Sequence, residues 1–170
     1  MAAESAPPGA ARAGRASGAV RRRSLARLAA VQALYQLELN RGLKPETVIA
    51  EFARHRFGRE IDGELYGEAD LALFAEIVRG TAADRERLDR EISAVLTTDW
   101  PLPRLETVLR AILRAGAYEL VHRPDIPPRV AISEYTGIAH AFFTGKEPGL
   151  ANGVLDRLGR ILRPVEMQPP

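Results

Sequence analysis

Residues 105–121 read LETVLRAILRAGAYELV. Leu105, Val108, Leu109, Ile112, Leu113, Gly116 and Leu120 recur at helical spacing over a wide arc, which predicts a central core helix. The apolar run from Val108 to Val121 carries Arg110, Arg114 and Glu119, and it falls short of the roughly 18–20 apolar residues a membrane span needs. Gly116 would cost about 1 kcal/mol relative to Ala in an exposed helix interior. A close crossing with a second helix is expected there.

Toward the C-terminus, Arg123-Pro124-Asp125-Ile126-Pro127-Pro128 forms a rigid connector. It feeds a helix over about 129–142, with a proline in its first turn. Residues 144–149 contain Gly145, Pro148 and Gly149 and read as a loop. A last helix over about 151–162 aligns Leu150, Val154, Leu155, Leu158, Ile161 and Leu162. The tail 163–170 holds three prolines and is expected to fray.

Toward the N-terminus, a helix over 82–96 presents Leu88, Ile92, Val95 and Leu96 behind a charged, solvated face. Before it come a helix over 68–79 with a bend at Gly80, a glycine-bearing link over 57–67, and a helix over about 45–56. The first helix is expected to start at Ser24 as its cap and to bury Leu25, Leu28, Ala29, Gln32, Tyr35 and Leu39. Residues 1–20 carry Pro7, Pro8, Gly9, Gly14 and Gly18 without apolar periodicity and are expected to be disordered in the free protein. No segment alternates convincingly as a strand. The expected fold class is all-α, about seven helices in one or two small bundles. The expected boundaries are a basic tail at 1–20, a helical domain at 21–163 and a C-terminal tail at 164–170.

Composition limits the chemistry. The 170 residues are 46% hydrophobic and 27% charged, enough apolar surface for a core. With no cysteine there is no disulfide framework, thiolate metal site or thiol nucleophile. His55, His122 and His140 lack zinc-ligand spacing. Thr144-Gly145-Lys146-Glu147 is not a phosphate loop, because His140 stands where its first glycine belongs and Glu147 where Ser or Thr belongs. No nucleophile elbow or dinucleotide motif is present. The sequence therefore offers no positive support for an enzyme, a cofactor or a metal. A secretory h-region is also missing from the first residues, and a reducing, cytoplasmic setting is expected.

Charge distribution is the more informative feature. The net charge is only +2, yet residues 1–23 set Arg12, Arg15, Arg21, Arg22 and Arg23 against Glu4 alone. A basic arm thus joins a slightly acidic body, a pattern that suits a polyanion partner. Arg21, Arg22, Arg23 and Arg27 cluster where the arm meets the first helix, with Gln32 and Tyr35 one to two turns on. Guanidinium groups can neutralise phosphates, while amide and aromatic groups can meet unstacked bases. Core packing is the competing role for Tyr35.

Four segments stand in order: Arg21-Arg22-Arg23 with Arg27 and Ala30-Val31-Gln32-Ala33-Leu34-Tyr35-Gln36; Ile112-Leu113-Arg114-Ala115-Gly116-Ala117-Tyr118-Glu119-Leu120; Asp125 through Glu134; and Ala151-Asn152-Gly153-Val154-Leu155-Asp156. Together they resemble the bacterial transcription antitermination family NusB. The resemblance covers roughly residues 21–163. It implies two small helical bundles and a protein that is not an enzyme. It further implies binding of the single-stranded boxA element of ribosomal RNA leader transcripts together with NusE, a small-subunit ribosomal protein. On the same resemblance, the pair is expected to help load an antitermination complex on RNA polymerase. On this resemblance Arg21, Arg22, Arg23 and Arg27 form the RNA-binding motif, and Lys146 to Asn152 lies near the RNA or NusE. Asn152 has an alternative role as the cap of the last helix. This chain also departs from the family: Phe-Val-Asn-Gly becomes Leu150-Ala151-Asn152-Gly153, and Asn-Glu becomes Ser133-Glu134.

Two other readings fit a basic helical chain. One is a partner-binding module, for which a homodimer covering the RNA face is open. The other is an RNA-binding domain like that of some rRNA methyltransferases.

Overall fold

The computed structural model describes residues 8–55, 57, 60–61, 64–65 and 68–170. Among them run α1 (Pro8–Leu39), α2 (Pro45–His55), α3 (Glu68–Ala83), α4 (Arg85–Val95), α5 (Thr107–His122), α6 (Pro128–Phe142) and α7 (Glu147–Leu162). A 3-10 turn, Leu102–Arg104, precedes α5. Between α2 and α3, β1 (Glu60–Ile61) pairs antiparallel with β2 (Glu64–Leu65). Two residues per strand are too few for alternation to be visible in a sequence. The fold is all-α, as expected. The expected helix end at Arg56 and much of the glycine-bearing link lie outside the described residues.

Helix α5 forms the hub. Every residue of α5 from Ala111 to Leu120 is buried, and α5 packs against α1, α3, α4, α6 and α7. It joins an α1–α2–α3 group to an α4–α6–α7 group through one continuous core. Gly116 marks the crossing with α7: a Cβ there would stand 2.9 Å from both methyl carbons of Leu155. The expected bend at Gly80 does not occur; α3 continues to Ala83 and breaks at Asp84. Gly80 instead admits the Tyr118 ring, which a Cβ would meet at 2.1 Å. Packing, not backbone freedom, explains that glycine.

Helix α1 departs from expectation twice. It begins at Pro8 rather than Ser24, so it runs through most of the stretch expected to lack structure; residues 1–7 lie outside the described residues. Alanine and arginine carry high helix propensity, and they outweigh the scattered glycines. The helix is also rotated relative to the expected face. Ala26, Ala29, Ala30, Val31, Ala33 and Leu34 are buried, while Leu25, Leu28, Gln32 and Tyr35 are only half-buried and Leu39 is exposed. Small side chains let α1 approach α3 and α5 closely, and that proximity outweighs the larger apolar area of the leucine stripe.

The C-terminal end shows two further differences. Helix α7 starts at Glu147 with Pro148 in its first turn, four residues before the expected start. The tail expected to fray docks instead: Met167 is buried against Gly159, and its carbonyl accepts from Arg129 Nη2 at 2.9 Å. Arg163 secures the same segment, donating from Nη1 to the Ile126 carbonyl at 2.7 Å.

Candidate nucleic-acid interface

Successive residues of a helix are turned by about 100°. Arg21, Arg22 and Arg23 therefore leave α1 in three directions. Arg21 is exposed and borders a recess of about 430 Å³ against α6, with Leu25, Leu28, Ser133, Gly137 and Ile138. Arg23, also exposed, borders a recess of about 240 Å³ on the far side, beside Leu73, Glu76, Arg123 and Ile126. Half-buried Arg22 lies over Gly18, its Nη1 3.7 Å from where a Cβ would stand.

Arg27 is elsewhere altogether. It is 3% exposed and pairs side-on with Glu119, which is 0% exposed: Nε is 2.9 Å from Oε2 and Nη2 is 2.9 Å from Oε1. Burial alone would lower its pKa, but the hydrogen bonds and charge of Glu119 outweigh burial and raise it. The Tyr135 hydroxyl donates to Glu119 Oε2, and burial together with the Glu119 charge drives that phenol well above its ordinary pKa. Arg27 thus belongs to the core junction of α1, α5 and α6, and the structure corrects its expected place among the RNA-facing arginines. An arginine at this depth can present no donor to a phosphate.

The expected helix-capping Ser24 caps nothing. Its hydroxyl lies 2.9 Å from Glu134 Oε1 and 3.2 Å from the Val20 carbonyl oxygen, tying α1 to α6. Gln32 and Tyr35 stand on the same side of α1 as Arg21, three to four turns along, roughly 16–21 Å at 1.5 Å per residue. Tyr35 is half-buried rather than enclosed in the core.

Asn152 lies inside α7, a turn beyond its start, so it cannot be the cap of that helix. It is exposed and borders a recess of about 440 Å³ with Ser133, Thr136, Gly137 and His140 of α6. Lys146, exposed, occupies the N-cap position of α7 with no side-chain cap hydrogen bond. Ser133 and Gly137 border both the Asn152 recess and the Arg21 recess. The outer face of α6 therefore connects Arg21 with Asn152 and leaves Arg23 outside that path. Arg129, Ser133, Thr136 and His140 along this face are not among the RNA-binding residues expected from sequence. Their spacing of four, three and four is a polar helical stripe that periodicity can reveal.

Among the described residues, no group of three His, Asp or Glu side chains could hold a metal ion, and no helix is long and apolar enough to cross a membrane.

Comparison with known proteins agrees with this architecture. A transcription antitermination protein NusB from Nitrobacter hamburgensis is 49% identical over 142 residues, 84% of this chain and 88% of its own. The solved NusB of T. maritima is 32% identical with a TM-score of 0.69, covering 81% of this chain and 90% of the other. A solved complex of the antitermination factors NusB and NusE with dsRNA holds a chain of the same fold at 23% identity and a TM-score of 0.68, covering 83% of this chain and 98% of that one. The NusB family model matches residues 24–160, and with that span and those relatives this chain belongs to the NusB family of transcription antitermination proteins.

Proposed function

We propose that this protein binds single-stranded boxA RNA of ribosomal RNA leader transcripts together with NusE, and so promotes processive rRNA transcription in the cytoplasm. The observation that carries the proposal is the continuous face running from Arg21 across Ser133 and Gly137 to Asn152. One end offers a cationic fork for phosphate and the other an exposed amide for base edges. Gln32 and Tyr35 extend the same side of α1. Arg22, Arg23 and Lys146 add positive charge around this face rather than on it. The apolar walls of the Arg21 recess, Leu25, Leu28 and Ile138, suit a protein neighbour, the role assigned here to NusE. Contact with the RNA polymerase antitermination complex then runs through the RNA and NusE. Support for the pairing comes from the relative solved with NusE and dsRNA.

The test is binding of a short boxA RNA, a scrambled RNA and a duplex at fixed salt, with and without NusE. The expected result is preference for the boxA strand, strengthened by NusE. Equal weak binding to all three, indifferent to NusE, would defeat the proposal. The same apolar walls favour one second reading, a homodimer that covers this face. It predicts a concentration-dependent dimer that RNA fails to dissociate.

A further inference from the structure

A separate cavity of about 260 Å³ lies at the other end of α1, away from the arginine cluster. Leu34, Leu37, Leu43, Pro45, Ala82 and Ala111 form its apolar walls. Three charged side chains reach it, Glu38, Arg85 and Arg114, giving a balance of one positive charge. Glu38 is already engaged: its carboxylate is 2.7 Å from Arg110 Nη2 and 2.9 Å from Arg114 Nη1. Arg114 also grips Asp89, with Nε 2.7 Å from Oδ1. Arg85 differs. It is half-exposed, and its contacts to Glu38 and Asp89 are long, 4.0 and 3.9 Å. It can turn toward an incoming anion with little loss.

Thr81 supplies an independent observation. It lines this cavity and is 1% exposed, and among the described residues its hydroxyl has no hydrogen-bond partner, not even the carbonyl one turn back in α3. Leaving such a group unpaired costs about 1–3 kcal/mol. A valine of the same shape would avoid that cost. A hydroxyl at this position is useful if something else completes its hydrogen bond.

We propose that this cavity binds a small amphipathic carboxylate, an aromatic body carrying one anionic group and one hydrogen-bonding ring atom. The apolar walls take the ring, Arg85 takes the carboxylate, and Thr81 pairs with the ring heteroatom. The volume fits. An apolar cavity of about 150 Å³ holds benzene, so about 260 Å³ accommodates a bicyclic ring. The site is independent of the RNA reading, since it shares no residue with the Arg21 or Asn152 recesses.

The test is a titration of the full-length protein with indole-3-acetate, and with neutral indole-3-acetamide, followed by amide NMR shifts up to about 5 mM, a range that detects millimolar affinities. Saturable shifts are expected at Thr81, Ala82 and Ala111, with the acid binding about tenfold more tightly than the amide, as a charge-assisted hydrogen bond implies. Arg85→Gln, a half-exposed change that leaves the core intact, should erase that difference. Thr81→Val should weaken both ligands severalfold without lowering the melting temperature. The proposal is overturned by shifts elsewhere or none at all. It fails equally if acid and amide bind alike, or if affinity is unchanged in Thr81→Val.

Discussion

The Arg27 guanidinium and the Glu119 carboxylate form a bidentate ion pair across the core, with two N–O distances of 2.9 Å and almost no exposure on either side. The pair joins α1 to α5, and the Tyr135 hydroxyl brings in α6. It fixes the rotation of α1, and hence the directions in which Arg21 and Arg23 leave the helix.

Removing one partner should be far worse than removing both. Glu119→Ala strands a buried guanidinium and should destabilise by about 3–5 kcal/mol, whereas Arg27→Met with Glu119→Leu should restore much of that. Urea denaturation of Glu119→Ala, Arg27→Met and the double variant checks this. A double variant no more stable than the worse single would refute it.

RNA binding should separate the arginines. Arg21→Ala should lower the log–log salt slope by roughly 0.7 if it neutralises one single-strand phosphate, and Arg23→Ala, at a residue off the Arg21–Asn152 face, should lower it by less. Arg27→Met, where still folded, should leave the slope unchanged. Titrations at several salt concentrations measure all three.

The glycines of the helices should respond in opposite ways. Gly80→Ala would drive a methyl into the Tyr118 ring and should cost about 1–3 kcal/mol or more, as overpacking does. At Gly137, in α6, a Cβ meets nothing within 4 Å, so Gly137→Ala should stabilise by about 0.4–1 kcal/mol. Thermal melts of the two variants should shift in opposite directions.

Alkaline stability should depend on Tyr135. Its folded-state pKa is raised above the unfolded value near 10, so its contribution is intact below that pH and declines as pH rises further. Ultraviolet difference titration should show one tyrosine ionising only with unfolding. Tyr135→Phe should remove that feature and cost about 1.5–3 kcal/mol at neutral pH for the lost hydrogen bond to the Glu119 carboxylate.

Much of this was legible in the chain. Period-3.6 patterning revealed the helices and the hub at 105–121, and the demand for a close crossing at Gly116 was met by Leu155. Such features depend on local spacing, which sequence displays directly. The face of α1 was not legible: two stripes compete there, and the alanine stripe lies inward because α3 and α5 approach closely only over small side chains. The position of Arg27 was equally hidden. An arginine reads as a surface cation until its partner is known, and Glu119 stands 92 residues away in sequence. The joining of Arg21 to Asn152 across α6, and the walling of the Thr81–Arg85 cavity by Leu34, Leu37 and Ala111, also come from helices distant in the chain. Periodicity specifies which face of a helix is apolar; only packing against particular neighbours selects the face that water leaves.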